Sequence, residues 1–365
     1  MKRRRLFALL LAAACLFCAC SGTAAVKPNA ALPDSRSEMT KWAVAERQLE
    51  FSPQTVKHGE DAVIQWADPA MEAHIRALLN KPEGDIRRSD VWEIQVLRVN
   101  SNGVDAAWTE PTEGETFNTS DSAKNASYLA EGGSFDNLTS LEDLRYFDSL
   151  QAFSYSSKVP YDGLTDLSGL ESCPQLKVLS FHGAKPETLE PLSALTELES
   201  LELYNCGTLD LTPMSGLKKL SRVFLIADDL VSLEPLADLP ALYYLGIGTG
   251  TTYPSLEPLT RTKVEFLDMG VGMADQTTYK KLDYEPLTRI PTLRYLDLTN
   301  HVGVTTTLCK QIAAGSPNLR GLNVSYTKAA DHSVNLQDLG IEWLMDTPES
   351  FNPVKWWNRL MYWLA

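Results

Sequence analysis

The sequence predicts an α/β solenoid with short parallel strands along its inner curve. Three observations carry this: a leucine spacing that returns at a fixed interval, a proline-marked return segment between occurrences, and distinct sequences at both ends. Leu198 to Cys206 reads LESLELYNC, with leucines at its first, fourth and sixth places. The same spacing starts at Leu176, Leu198, Leu220, Leu242 and Val264, four successive intervals of 22 residues. Leu293 follows after 29 residues and Leu319 after 26, while Leu150 precedes Leu176 by 26. Periods of roughly 20–29 residues with L-x-x-L-x-L are the signature of leucine-rich repeats. The expected fold is a horseshoe of about 22-residue repeats. A parallel β-sheet lines its concave face, short 3-10 or helical segments form its convex face, and a helix caps its N-terminus.

The elements follow in chain order. Lys2 to Arg5 are basic and Leu6 to Phe17 are almost wholly apolar, which predicts a secretory signal over residues 1–19, too short for an ordinary membrane span. Small residues flank Cys20, in Phe17-Cys18-Ala19-Cys20-Ser21-Gly22. This looks like a bacterial lipobox, with Cys20 as the lipidated residue and an ordinary cleaved signal as the alternative. Residues 20–60 lack an apolar period and read as a tether. Residues 61–93 read as the N-terminal cap, with helical spacing at Met71, Ile75, Leu78 and Leu79.

Repeats are expected over 94–327. Ile94, Leu97 and Val99 fit a first strand. Residues 101–134 are polar and acidic and read as a long inserted loop. Glu190-Pro191-Leu192, Glu234-Pro235-Leu236, Glu257-Pro258-Leu259 and Glu285-Pro286-Leu287 mark tight returns, because proline cannot donate to a ladder. One repeat cannot bury its own apolar face, so stability comes from stacking. Residues 328–365 read as a C-terminal cap. Within it, Asn352 and Pro353 open a Trp-rich amphipathic helix carrying Trp356, Trp357, Leu360, Met361, Trp363 and Leu364 on one face. The helix is expected to seal the last repeat; docking at a membrane or partner is the alternative.

The cap adds a resemblance. Its helical stretch is followed by Lys81-Pro82-Glu83-Gly84-Asp85-Ile86. Together with the repeats, over roughly residues 62–327, this resembles bacterial internalin-like leucine-rich repeat surface proteins, whose N-terminal cap often reads as a short helix and a Lys-Pro-x-Gly-Asp-Ile run. The resemblance implies the fold. It implies no particular ligand, since such repeats bind many unrelated things.

Charge and motifs narrow the chemistry. The formal net charge is −14, and −18 once the four basic residues at 2–5 are removed. Phosphate binding needs an excess of Lys and Arg, so nucleic acid is a poor partner. None of the five histidines forms an HExxH pair or sits at ligand spacing with a cysteine. There is no phosphate loop, GxSxG elbow or dinucleotide fingerprint. Cys173 and Cys206 fall at inward positions and Cys309 on a convex helix, so neither zinc nor a disulfide is expected. No catalytic residue, cofactor or metal is expected.

The outward strand positions supply the candidate ligand site. Tyr244, Phe266 and Tyr295 fall in one row, beside Arg222. Phe224 and Tyr204 lie diagonally near, and Glu202, Asp268 and Asp297 beside them. The rings are expected to be exposed and to form a binding patch; the alternative is that they pack on one another or under a loop. The carboxylates are expected to be solvated and to favour a basic or neutral ligand. Glycines at 246, 248 and 270 are expected to leave room for it. His182 occupies an outward position as well. The expected function is a non-enzymatic, lipid-anchored protein on the extracytoplasmic face of the cell membrane, binding a protein or peptide through its concave face. An envelope scaffold working through the Trp-rich C-terminus and a glycan-binding module are the alternatives.

Overall fold

The structure, a computed structural model, describes residues 56–107, 126–129, 135–157, 163–248, 250–271 and 282–346. The signal, Cys20, most of the tether and the Trp-rich helix expected after Pro353 lie outside them.

The repeat spacing becomes a sheet of ten parallel strands. These are β1 (Val96–Asn100), β4 (Ala152–Ser156), β5 (Val178–His182), β6 (Ser200–Tyr204), β8 (Arg222–Ile226), β10 (Tyr244–Ile247), β11 (Phe266–Asp268), β12 (Tyr295–Asp297), β13 (Gly321–Asn323) and β14 (Trp343–Met345). Two antiparallel strands, β2 (Gly103–Ala107) and β3 (Ala126–Leu129), extend it beyond β1. The order is β14-β13-β12-β11-β10-β8-β6-β5-β4-β1-β2-β3. Two-residue strands β7 (Thr208–Leu209) and β9 (Asp229–Leu230) pair separately on the return side.

Two of these features depart from the sequence reading. The stretch 101–134 contributes β2 and β3, because the free edge of β1 offers an unpaired ladder that even a weakly apolar segment can satisfy. The sheet also continues past residue 327, where β14 pairs with β13.

Period-two alternation turns the strand leucines inward. Leu179, Leu201, Val223, Leu245, Leu267, Leu296 and Leu322 stand in register and are buried in one continuous core. The returns are 3-10 turns at Glu190–Ala194, Thr212–Gly216, Glu257–Arg261 and Glu285–Arg289, and one α-helical turn at Glu234–Ala237. Proline sits at the start of each, where its missing N–H costs nothing. In the last full repeat the return is a helix, α2 (Thr306–Gly315), capped by the Thr305 hydroxyl; α1 (Pro69–Leu78) is the helix of the N-terminal cap.

Asp68 ties the N-terminal cap to the repeats. It caps α1 (Pro69–Leu78), accepting the Ala70 and Met71 N–H groups at 2.7 and 3.3 Å. Its other oxygen accepts the backbone N–H of Thr139 at 2.6 Å and of Ser140 at 2.9 Å. Asp143 answers from the repeat side, accepting the N–H groups of Ala67 and Asp68 at 2.8 Å each. Met71, Ile75 and Leu78 of α1 are buried against the core, as their spacing predicts.

Candidate functional site

Strand register aligns the outward side chains into rows across the concave face. One row runs Ala152, Val178, Ser200, Arg222, Tyr244, Phe266, Tyr295, Gly321, Trp343. The next includes Ser180, Glu202, Phe224, Gly246, Asp268, Asp297 and Asn323. A third begins Ser156, His182, Tyr204, Ile226. The sequence therefore places these residues on one face, and the structure brings them together there.

Their exposure is different from the expectation. Phe266 is 0%, Tyr295 1%, Tyr244 3% and Phe224 8% exposed. The rings form a buried cluster with Tyr243 rather than an open patch. Phe266 stacks on Tyr295 with ring centres 4.7 Å apart, and Tyr243 meets it edge-on at 6.1 Å. The Arg294 guanidinium lies 5.7 Å from the centres of both Phe266 and Tyr295. Parallel strands hold neighbours in a row about 4.8 Å apart, close to the stacking distance of rings, so a row of aromatics closes on itself.

The carboxylates and glycines need the same correction. Asp268 and Asp297 are fully buried, not solvated. Asp297 accepts the Thr299 N–H at 2.8 Å and the Asn323 side-chain amide at 3.0 Å; Asp268 accepts the Gly270 N–H at 3.2 Å. Nor do Gly246 and Gly270 hold space for a ligand. A Cβ on Gly246 would stand 2.2 Å from the Phe224 ring, and one on Gly270 would stand 2.7 Å from Asp297. Gly321 likewise admits the Tyr295 ring, at 2.4 Å. These positions lack side chains because a neighbour's side chain lies across them.

The other half of the face is open. His182 is exposed, and Glu202, Tyr204 and Ile226 are half-buried. His182 packs on Tyr204 at 4.0 Å, and Tyr204 stacks on Phe224 at 5.0 Å. Burial pushes the Glu202 carboxyl above its ordinary range, opposed by the Ser180 hydroxyl, which donates at 3.3 Å, and by the Arg222 charge. Arg222 is itself buried, and desolvation lowers its guanidinium pKa. The result is a rigid strip with rings at its centre and a carboxylate beside them. Sequence reasoning missed that the strip ends where the rings close.

At the edge where strands begin, charges alternate in cross-strand pairs. Lys177 meets Glu199 at 3.8 Å, Arg294 meets Glu265 at 3.2 Å and Arg320 meets Glu342 at 2.7 Å. A cleft of about 610 Å³ opens there, lined by Glu265, Arg294, Arg320 and the backbone around Pro317 and Gly340. Its arginines are already paired with carboxylates.

The cysteines and inner histidines serve the core. Cys173, Cys206 and Cys309 are free thiols, and burial pushes each up to about 12. His301 is buried between the Met269 carbonyl at 2.6 Å and the Tyr284 hydroxyl at 2.8 Å. His74 lies between the carbonyls of Ala70 and Asn100 at 2.6 and 3.1 Å.

No family model matches the sequence, and no curated protein matches it. Solved structures do. Internalin C2 from Listeria monocytogenes is 20% identical over 71% of this chain and 93% of its own, with a TM-score of 0.47. A second internalin of that organism, inlF, is 15% identical over 77% of this chain and 89% of its own, at 0.39. A leucine-rich repeat protein of Leptospira interrogans is 15% identical over 55% of this chain and 56% of its own, at 0.41. The leucine-rich repeat fold itself rests on the repeat spacing and the strand register.

Proposed function

We propose that this chain is a non-enzymatic binding module for a protein or peptide, held at a membrane by lipid on Cys20 and presented on its extracytoplasmic side. The observation that carries the binding reading is the open strip His182–Tyr204–Ile226 with Glu202 beside it. A half-exposed aromatic and an aliphatic side chain on a rigid sheet offer apolar contact at little entropic cost. The carboxylate adds a preference for a basic or neutral segment. Of the nine residues expected at the site, Glu202 and Tyr204 are the accessible ones. Arg222 and Phe224 flank them from the next strand, while Tyr244, Phe266, Asp268, Tyr295 and Asp297 belong to the closed half.

The test is selection of displayed random peptides on the full chain. Peptides enriched on the natural chain should lose binding to His182→Ala/Tyr204→Ala. Equal enrichment on both would move the site off this face.

A further inference from the structure

We propose that Arg222 anchors a carboxylate of the partner, so that the open strip takes a dipolar peptide segment, with its acidic group on Arg222 and a basic side chain on Glu202. The proposal rests on the strip's binding role and names the chemistry of its ligand. The state of Arg222 carries it. This side chain stands on β8 at the border of the strip and is 6% exposed. Its Nε is buried without a hydrogen-bond partner, and among the described residues no carboxylate stands at ion-pair distance from the guanidinium. The two carboxylates that act on its charge are bonded elsewhere. Glu199 pairs with Lys177 at 3.8 Å, and Glu202 accepts the Ser180 hydroxyl at 3.3 Å. Arg294 and Arg320, each one residue before its strand, do meet carboxylates, at 3.2 and 2.7 Å. A buried charge is costly unless it is paired and hydrogen-bonded. Arg222 is thus an unused donor at the place where the open strip begins.

Register and charge select the ligand. Ser200 lies directly opposite Arg222 on β6, and Phe224 lies opposite Glu202. The serine is small, so no ring stands opposite the arginine on the β6 side, and its hydroxyl can donate to the same incoming group. A guanidinium matches a carboxylate through two parallel N–H bonds. A phosphate dianion would meet more repulsion from Glu202 and Glu199 than a single carboxylate does, which favours the monoanion. Glu202 keeps acceptor capacity beyond its bond from Ser180. It stands one strand and two residues from Arg222, a backbone separation of about 8 Å. Alternate side chains of an extended peptide stand about 6.6 Å apart on one face. An acidic and a basic residue with one residue between them therefore span the two sites, with Tyr204 and Ile226 alongside for apolar contact.

The test is titration of the full chain with a synthetic peptide recovered by selection from displayed random peptides. Recovered peptides should combine Asp or Glu with Lys or Arg at that spacing. Exchanging the acidic residue for its amide should weaken binding about tenfold or more on the natural chain, and less than about twofold on Arg222→Met. Amidating the peptide's C-terminus separates the two sources of carboxylate: a loss of that size from amidation instead would place a chain terminus on Arg222. No loss from either change, or an equal loss on both chains, would overturn the proposal. The binding reading survives that result if His182→Ala/Tyr204→Ala still abolishes binding, and fails separately if it does not. A second readout needs no ligand. Arg222→Met removes the unpaired charge and keeps an apolar stem, so the urea midpoint of the free chain should hold or rise. A clear fall would give Arg222 a structural role and overturn the proposal.

Discussion

Gly246→Ala tests the interlock between Gly246 and Phe224. The added Cβ would meet the Phe224 ring at 2.2, 2.6 and 3.2 Å. Ordinary carbon contacts stand at about 3.5–4.0 Å, so the ring must retreat by more than an ångström. It retreats toward Tyr204, on which it is already stacked at 5.0 Å. Overpacking of this kind costs about 1–3 kcal/mol. The assay is urea unfolding of the full chain, read as a double-mutant cycle with Phe224→Ala. Once the ring is gone the alanine has space, and its cost should fall below about 0.5 kcal/mol, leaving a coupling of at least about 1 kcal/mol. Additive effects of the two substitutions would refute the reasoning, because they would mean that the methyl group never met the ring.

Other substitutions extend the same logic. Gly315→Ala places a Cβ 1.7 Å from the Thr288 carbonyl oxygen; backbone yields less readily than a ring, so its cost should exceed that of Gly246→Ala by the same assay. Gly216→Ala meets nothing within 4 Å and should be neutral or stabilise by up to about 1 kcal/mol. Asp68→Ala removes the cap of α1 and leaves the Thr139 and Ser140 N–H groups without their acceptor; a loss of about 3 kcal/mol is expected, with Asp68→Asn milder. Burial lowers the His74 pKa against partial opposition from its two carbonyl contacts. The unfolded chain therefore takes up this proton first, and the stability held above the ordinary value of 6.5 is lost as pH falls toward the lowered folded value. His74→Gln should flatten the dependence of melting temperature on pH below about 6.5; an unchanged slope would assign it to other groups.

The backbone plan was legible because the signal is a period. Leu198, Leu201 and Leu203 predict a strand, its inward face and the next strand 22 residues on, and the register bears that out. The last strand carried the same signal in weaker form: Ile341 follows Leu319 by 22 residues, with Leu344 at the second leucine place. Strands β2 and β3 gave little warning, since Gly103-Val104-Asp105-Ala106-Ala107 is a poor strand former that pairs because β1 offers an edge. At the site, alternation tells which face a side chain occupies but not what stands above it. Tyr244, Phe266 and Tyr295 were placed on the correct face and given the wrong exposure. Asp268 and Asp297 read as solvated because the amides that satisfy them, from Thr299, Asn323 and Gly270, become neighbours only in the fold.

The most direct measurement is hydroxyl-radical footprinting of the full chain, with and without a peptide recovered by selection. The account predicts that the peptide lowers oxidation of His182 and Tyr204 and leaves exposed Val231, outside the concave strands, unchanged. Protection that falls on Val231 or other residues off the concave strip, with His182 and Tyr204 still oxidised, would contradict it.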